Sequence, residues 1–228
     1  MLRLPRPPPV LAVGCLLYEG HRVTVAKTAQ QRADEDRSNF RQRLLDALEA
    51  GIAEDGYPRT TVADIVRRAR TSRRTFYEHF DSREACFVAL LTDANAEQVR
   101  QISAAVDPHA AWRNQVRQAV EAWISSGESR SSLMLSWIRD VPSLGDAARR
   151  LQRDAMENFI EMVQALGDSD EFRAAGIGPV SRQRIIMLLG GLRELTAITV
   201  EEGGRTSDIT EEAVDASIAL LAPSGAPD

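Results

Sequence analysis

Between Thr60 and Glu84 the sequence runs TTVADIVRRARTSRRTFYEHFDSRE, and its local chemistry leaves little freedom in how it folds. Thr61 and Asp64 have the spacing of a capping box, in which a hydroxyl and a carboxylate each satisfy a free N–H at a helix start. Val62, Ile65, Val66 and Ala69 follow at helical spacing, so this helix has one apolar face. Arg67, Arg68 and Arg70 fall at its end, where cations suit the helix dipole. Ser72 is placed to cap a second helix, Arg73 to His79. Phe76 and Phe80, four residues apart, turn toward a core, which leaves Arg73, Arg74, Thr75, Tyr77 and His79 on the outer side. Asp81 or Ser82 then starts a third helix, with Glu84 in box position to Asp81.

Two short helices joined by a tight turn, the second carrying Arg, Thr, Tyr and His outward, suit a helix-turn-helix reader of DNA. Arginine grips guanine edges or phosphates with a fork of donors, and the other side chains bond phosphate oxygens. From Tyr57 to Arg83 there are seven arginines and three acids, in a chain whose net charge is -5. Attraction to phosphate would therefore be local to this patch. Charge alone also fits a solvated arginine face on an amphipathic hairpin. The order Thr-Thr-Val-Ala-Asp-Ile, Ser72, Thr-Phe-Tyr-x-His-Phe, Ser-Arg-Glu closely resembles the DNA-binding signature of the TetR family of transcriptional regulators, over roughly Asn39 to Glu84. The resemblance implies an all-α fold: an N-terminal three-helix helix-turn-helix domain and a C-terminal helical domain for ligand binding and dimerisation. It implies double-stranded DNA, a second copy of the chain and a small-molecule effector as partners. It also implies DNA contacts from Arg73, Arg74, Thr75, Tyr77 and His79, backbone contacts at Thr60 and Thr61, and a phosphate contact from Arg83. Two positions depart from the family pattern. Arg70 stands where a turn glycine is usual, which in a left-handed turn costs roughly 1–2 kcal/mol, and Arg74 replaces a small residue.

The remaining chain divides by composition. Residues 1–37 read as an irregular extension, 38–84 as the reader, 85–222 as a helical regulatory and dimerisation domain, and 223–228 as a tail. Met1 to Pro9 is rich in Arg and Pro, and Val10 to Tyr18 is a short apolar run. Together they make a poor signal peptide, because the run is broken and prolines precede it. An overextended start, or a disordered or strand-like arm, is the expectation. Gln30 to Arg37 reads as charged linker. Cys15 and Cys86 make no disulfide framework, which suits a reducing cytoplasm. No apolar run reaches the length of a membrane span. His21, His79 and His109 have no ligand spacing, so neither metal nor cofactor is expected. No phosphate loop or nucleophile motif appears, so neither is catalysis.

Asn39 to Glu54 forms a helix with Phe40, Leu44, Leu48 and Ile52 four apart, and it braces the reader. Further helices are expected over Arg83 to Val106, Ala110 to Ser126 ended by Gly127, Ser131 to Val141, Leu144 to Leu166, Val180 to Glu202 and Thr210 to Leu221. The glycine-rich break from Gly167 to Gly178 is long enough to be mobile. In the middle helices Trp112, Trp123, Met134, Trp137, Met156, Phe159 and Met162 are bulky, adaptable side chains suited to an apolar ligand pocket. An ordinary core uses the same residues. Arg139, Asp140, Glu161 and Arg193 are polar candidates there, or else parts of salt-bridged faces. In the last two helices Leu188, Gly191, Leu192, Leu195, Ile198, Val214 and Ile218 form a candidate dimer interface, with Gly190 and Gly191 admitting a close neighbour. The competing reading is that they close the monomer's own core.

The expected function is a DNA-binding regulator, a repressor released by a small apolar ligand that shifts the helix beginning near Arg83. An activator of the same fold, or a helical adaptor presenting its arginine face to an acidic protein partner, fits the same residues.

Overall fold

The computed structural model describes residues 29–222, with side chains from Asp36 onward. The chain forms two units, Met1–Arg37 and Ser38–Asp228. The expectations for residues 1–28, Cys15 among them, and for the tail lie outside the described residues. Helix α1 runs over Ala29–Asp55, ten residues earlier than the apolar pattern indicates. Gln30 to Arg37 carries no apolar stripe, which is why it reads as linker, yet its Gln, Arg, Ala and Glu residues are good helix formers. Residues 29–37 are therefore helical, not irregular.

The reader follows as α2 (Val62–Arg68) and α3 (Arg73–His79). Thr61 and Asp64 form the capping box: the Asp64 N–H donates to Thr61 Oγ1 at 3.3 Å, and the Thr61 N–H donates to Asp64 Oδ2 at 3.1 Å. The Thr61 hydroxyl also donates to Asp64, and together with Arg67 these bonds hold the Asp64 carboxyl down at about 2. Ser72 caps α3 by accepting from the Thr75 N–H at 3.1 Å.

Between the helices Arg70 has φ 49, the left-handed conformation that favours glycine. The turn is a Schellman motif, with the Thr71 N–H on the Val66 carbonyl at 2.9 Å and the Arg70 N–H on that of Arg67 at 3.3 Å. Arg43 of α1 reaches across to donate to the Ala69 and Arg70 carbonyls, so the strained turn is fastened from outside. Arg70→Gly is expected to stabilise the protein by about 0.5–1 kcal/mol, because relief of the left-handed strain exceeds glycine's entropy cost. The check is a higher denaturant midpoint at unchanged slope.

Helix α4 (Arg83–Ala105) is capped by Ser82, not Asp81. Its first half completes the reader core, where Cys86, Phe87, Leu90 and Leu91 pack with Leu44, Leu48, Ile65 and Phe76. Its second half enters the regulatory core through Ile102. Burial pushes the Cys86 thiol up to about 12, so it stays protonated and unreactive.

The regulatory helices are α5 (Trp112–Ser129), α6 (Ser131–Arg139), α7 (Asp146–Gly167), α8 (Asp170–Ala174), α9 (Arg182–Glu201) and α10 (Thr210–Leu221). Helix α5 does not stop at Gly127. That glycine is buried beneath Met134, whose Cε would lie 2.9 Å from an added Cβ, so its role is close packing. The break after α7 is anchored rather than loose: it contains α8, and Phe172, Ile177 and Val180 are buried in the regulatory core.

Candidate DNA-reading face and effector cavity

Helix α3 presents Arg73, Arg74 and Tyr77 to solvent, with Tyr77 56% exposed. The Tyr77 ring rests edge-on against buried Phe76, with centroids 5.3 Å apart at 88°. Arg74 Nε donates to Glu78 at 3.0 Å, one turn along the same face. Thr75 and His79 are half-buried at its margin, and the Thr75 hydroxyl shares a hydrogen bond with that of Ser72. Thr61 is exposed at the start of α2. The five α3 residues lie on or beside the outward side of that helix, opposite buried Phe76 and Phe80.

Two sequence candidates are placed differently. Thr60 is buried; its hydroxyl donates to the Gly56 carbonyl at 2.9 Å, and its methyl packs on Gly51 of α1. A side chain so enclosed serves the core. Arg83 folds back over the Tyr57 ring, 4.4 Å from its centroid, and donates to the carbonyls of Tyr57, Pro58 and Thr60 at 3.3, 3.4 and 2.9 Å. It ties α4 to the turn ahead of α2, adding to the bond that the Thr60 N–H already donates to the Tyr57 carbonyl. Tyr57 stacks on Phe87 at 4.0 Å, and burial pushes its hydroxyl up to about 12.

A cavity of about 90 Å³ opens among α4, α5, α6, α7 and α9. Trp123, Met134, Trp137, Met156 and Phe159 line it, together with Leu91, Asn95, Gln98, Arg130, Gln152 and Arg193. A second, of about 60 Å³, includes Met162 in its wall. Trp123, Phe159 and Leu189 border both. Trp112 borders neither. It packs on Phe172 with centroids 5.7 Å apart, under the Arg113 guanidinium, because α8 comes up against the start of α5. Arg139 belongs to a surface network, paired with Glu194 and Glu201 of α9, and Glu161 is exposed.

Arg130, at the corner between α5 and α6, both lines the first cavity and reaches α1. Its Nε and Nη2 donate to the two carboxylate oxygens of Glu49 at 2.5 and 2.6 Å. No sequence signal joins residues 81 positions apart.

On α9 and α10 the candidate dimer residues divide. Leu188, Leu192 and Val214 are buried in the monomer core, since they pack into the regulatory cluster rather than facing solvent. Gly191 and Ile198 are exposed, and Leu195 and Ile218 are half-buried. The exposed apolar residues that periodicity missed are Ile186 and Met187, 41% and 58% exposed. With Gly190, Gly191 and Ile198 they lie on the outer arc of α9, where nothing fills the space beside either glycine. Among the described residues no helix is long and apolar enough to cross a membrane.

Comparison with known proteins agrees with this architecture. Residues 44–90 match the family model described as bacterial regulatory proteins, tetR family. No curated protein matches the chain. Among solved structures, the transcriptional regulator FadR from Bacillus subtilis in complex with stearoyl-CoA aligns at TM-score 0.68 and 14% identity, covering 81% of this chain and 99% of that one. The fatty acid degradation regulator FadR from Bacillus halodurans aligns at TM-score 0.65 and 16% identity, over 79% and 94%. The reduced form of NemR from E. coli aligns at TM-score 0.64 and 16% identity, over 82% and 100%. Identities this low speak to the fold alone. The chain carries the TetR-family N-terminal domain, a helix-turn-helix, within the fold shared by TetR-family transcriptional regulators.

Proposed function

We propose that this protein is a homodimeric, sequence-specific repressor, released from its operator when a small, largely apolar molecule occupies the cavity beneath α4. The observation that carries this reading is the double duty of α4. Leu91 belongs both to the reader core and to the cavity wall, and Ala94, Asn95 and Gln98 continue that wall along the same helix. A ligand that wedges α4 away from α7 therefore displaces the base of the reader. The Arg130–Glu49 pair is a second tie between cavity and α1. The ligand must bind the released state more tightly than the DNA-bound state, or no equilibrium moves. The apolar lining supports such a ligand, and the stearoyl-CoA bound by Bacillus subtilis FadR is a precedent for a long apolar chain within this fold.

The exposed arc of α9 supports dimerisation. Two copies related by a two-fold axis would bury Met187 and Ile198 and present two α3 helices, which read successive major grooves when roughly 34–36 Å apart. The test is an electrophoretic mobility shift with the DNA upstream of the protein's own gene. The expected result is a salt-sensitive complex with preference for a palindrome. Binding that ignores sequence symmetry and salt would overturn the proposal.

A further inference from the structure

We propose that the effector is an anionic amphiphile, its acidic head held in the first cavity by Arg193 and Gln98 and its hydrocarbon tail passing Phe159 into the second. This rests on the reading of the two cavities as the effector site.

The charges around the first cavity are unequal. Its lining holds two arginines, Arg130 and Arg193, and no carboxylate. Arg130 is already matched by the bidentate Glu49. Arg193 has no such match. Its Nε is buried and makes no hydrogen bond among the described residues, and Gln98 Nε2, across the same cavity, is in the same condition. Its neighbour in sequence, Glu194, is turned to Arg139 on the surface. Burial pulls the Arg193 guanidinium below its ordinary pKa, and the charge of Glu194 offsets this only in part. Arg193 is itself only half-buried, but a buried guanidinium N–H and a buried amide N–H that both lack an acceptor cost stability. A carboxylate or comparable acid entering the cavity would satisfy both at once.

The second cavity sets the rest of the ligand. Its lining is hydrocarbon except for Gln115 and Ser217. The Gln115 amide nitrogen donates to the Pro108 and Ala110 carbonyls at 3.1 and 2.8 Å, and the Ser217 hydroxyl donates to the Ala213 carbonyl at 2.6 Å. What Gln115 leaves unmatched is an acceptor, Oε1. Spare donors thus lie in the first cavity and a spare acceptor in the second, so an anion is favoured at the Arg193 end and opposed at the other. Trp123, Phe159 and Leu189 form the shared wall. Phe159 is only half-buried, so its ring has room to swing and join the two spaces.

Decanoate, decanol and decylamine test this, as probes of one tail length with an anionic, a neutral and a cationic head. Trp123 and Trp137 border the first cavity, so intrinsic fluorescence reports binding to the full-length protein. Decanoate is expected to bind about tenfold tighter than decanol, the gain of a charge-assisted hydrogen bond, and decylamine more weakly than either. In Arg193→Met, which keeps the volume and removes the charge, the preference for decanoate should vanish while decanol binding persists. Arg193→Lys should restore part of it, and Arg193→Gln, which also removes the charge, should lose it likewise if the methionine variant fails to fold. Decanol binding as tightly as decanoate, or an unchanged preference in the variants, overturns the inference and leaves the cavity reading intact. Decanoate that binds through Arg193 yet leaves operator affinity unaltered upholds the inference and overturns the release mechanism. Fluorescence that responds to none of the three overturns both.

Discussion

Met187→Glu is expected to give a folded monomer that binds a palindromic operator about a hundredfold or more weakly than the parent, the loss that follows when two linked half-site contacts become independent. Met187 is the most exposed large apolar side chain of the described residues, at 58%. It shares the outer arc of α9 with Ile186, Gly190, Gly191 and Ile198. In the isolated chain a glutamate there meets water, so the monomer loses nothing in folding. Across a two-fold axis the same arc meets its own copy, and two carboxylates then face an apolar partner surface or each other. Burying an unpaired charge costs far more than an interface side chain contributes, so association should fail. Sedimentation or light scattering reads the mass, and a thermal melt confirms the fold. A variant that remains dimeric would place the interface elsewhere. One that becomes monomeric but keeps full operator affinity would remove dimerisation from the mechanism.

What the sequence made legible follows the range of the interactions. The caps on α2 and α3 and the Arg70 turn were readable because each is decided within about five residues: Thr61 with Asp64, Ser72 with Thr75, Thr71 with Val66. Longer-range placements were not. Helix α9 is apolar on more than one side, so periodicity identifies its leucines and isoleucines but not which arc faces inward. Leu188 and Leu192 went to the monomer core, while Ile186 and Met187 went outside. Trp112 looked like a cavity residue because aromatic side chains at helical spacing look alike, and only the return of α8 explains why Phe172 covers it. Arg83 carried a role taken from resemblance, whereas three carbonyls of the turn ahead of α2 draw its guanidinium inward. Arg130 and Glu49, and the unmatched Arg193 Nε, depend on helices meeting in space and leave no mark on spacing.

Tyr77→Ala and Arg73→Ala should each weaken operator binding by roughly 1–3 kcal/mol, about 5-fold to 150-fold, but in distinguishable ways. Tyr77 stands on the outer face of α3 with its hydroxyl clear of the core, a geometry suited to bonding a phosphate oxygen. Its loss should weaken all sequences alike and leave the salt slope nearly unchanged, because no charge is removed. Arg73 sits in the first turn of α3, beside the Ser72 cap, and is exposed. Truncating it removes a cation from the face that would meet the duplex. If it contacts phosphate, the slope of log affinity against log salt should flatten by about one; if it reads a base edge, preference at one position of the half-site should relax. Neither change should move the melting point appreciably: the Tyr77 ring makes only an edge contact with Phe76, and exposed side chains away from such features contribute within about 0.5 kcal/mol. Arg74→Ala provides the internal comparison, because that guanidinium is held by Glu78 and must leave it before gripping DNA. Its effect should therefore be smaller than that of Arg73→Ala. Full operator affinity in both Tyr77→Ala and Arg73→Ala would mean that α3 is not the reading helix, whatever its resemblance to one.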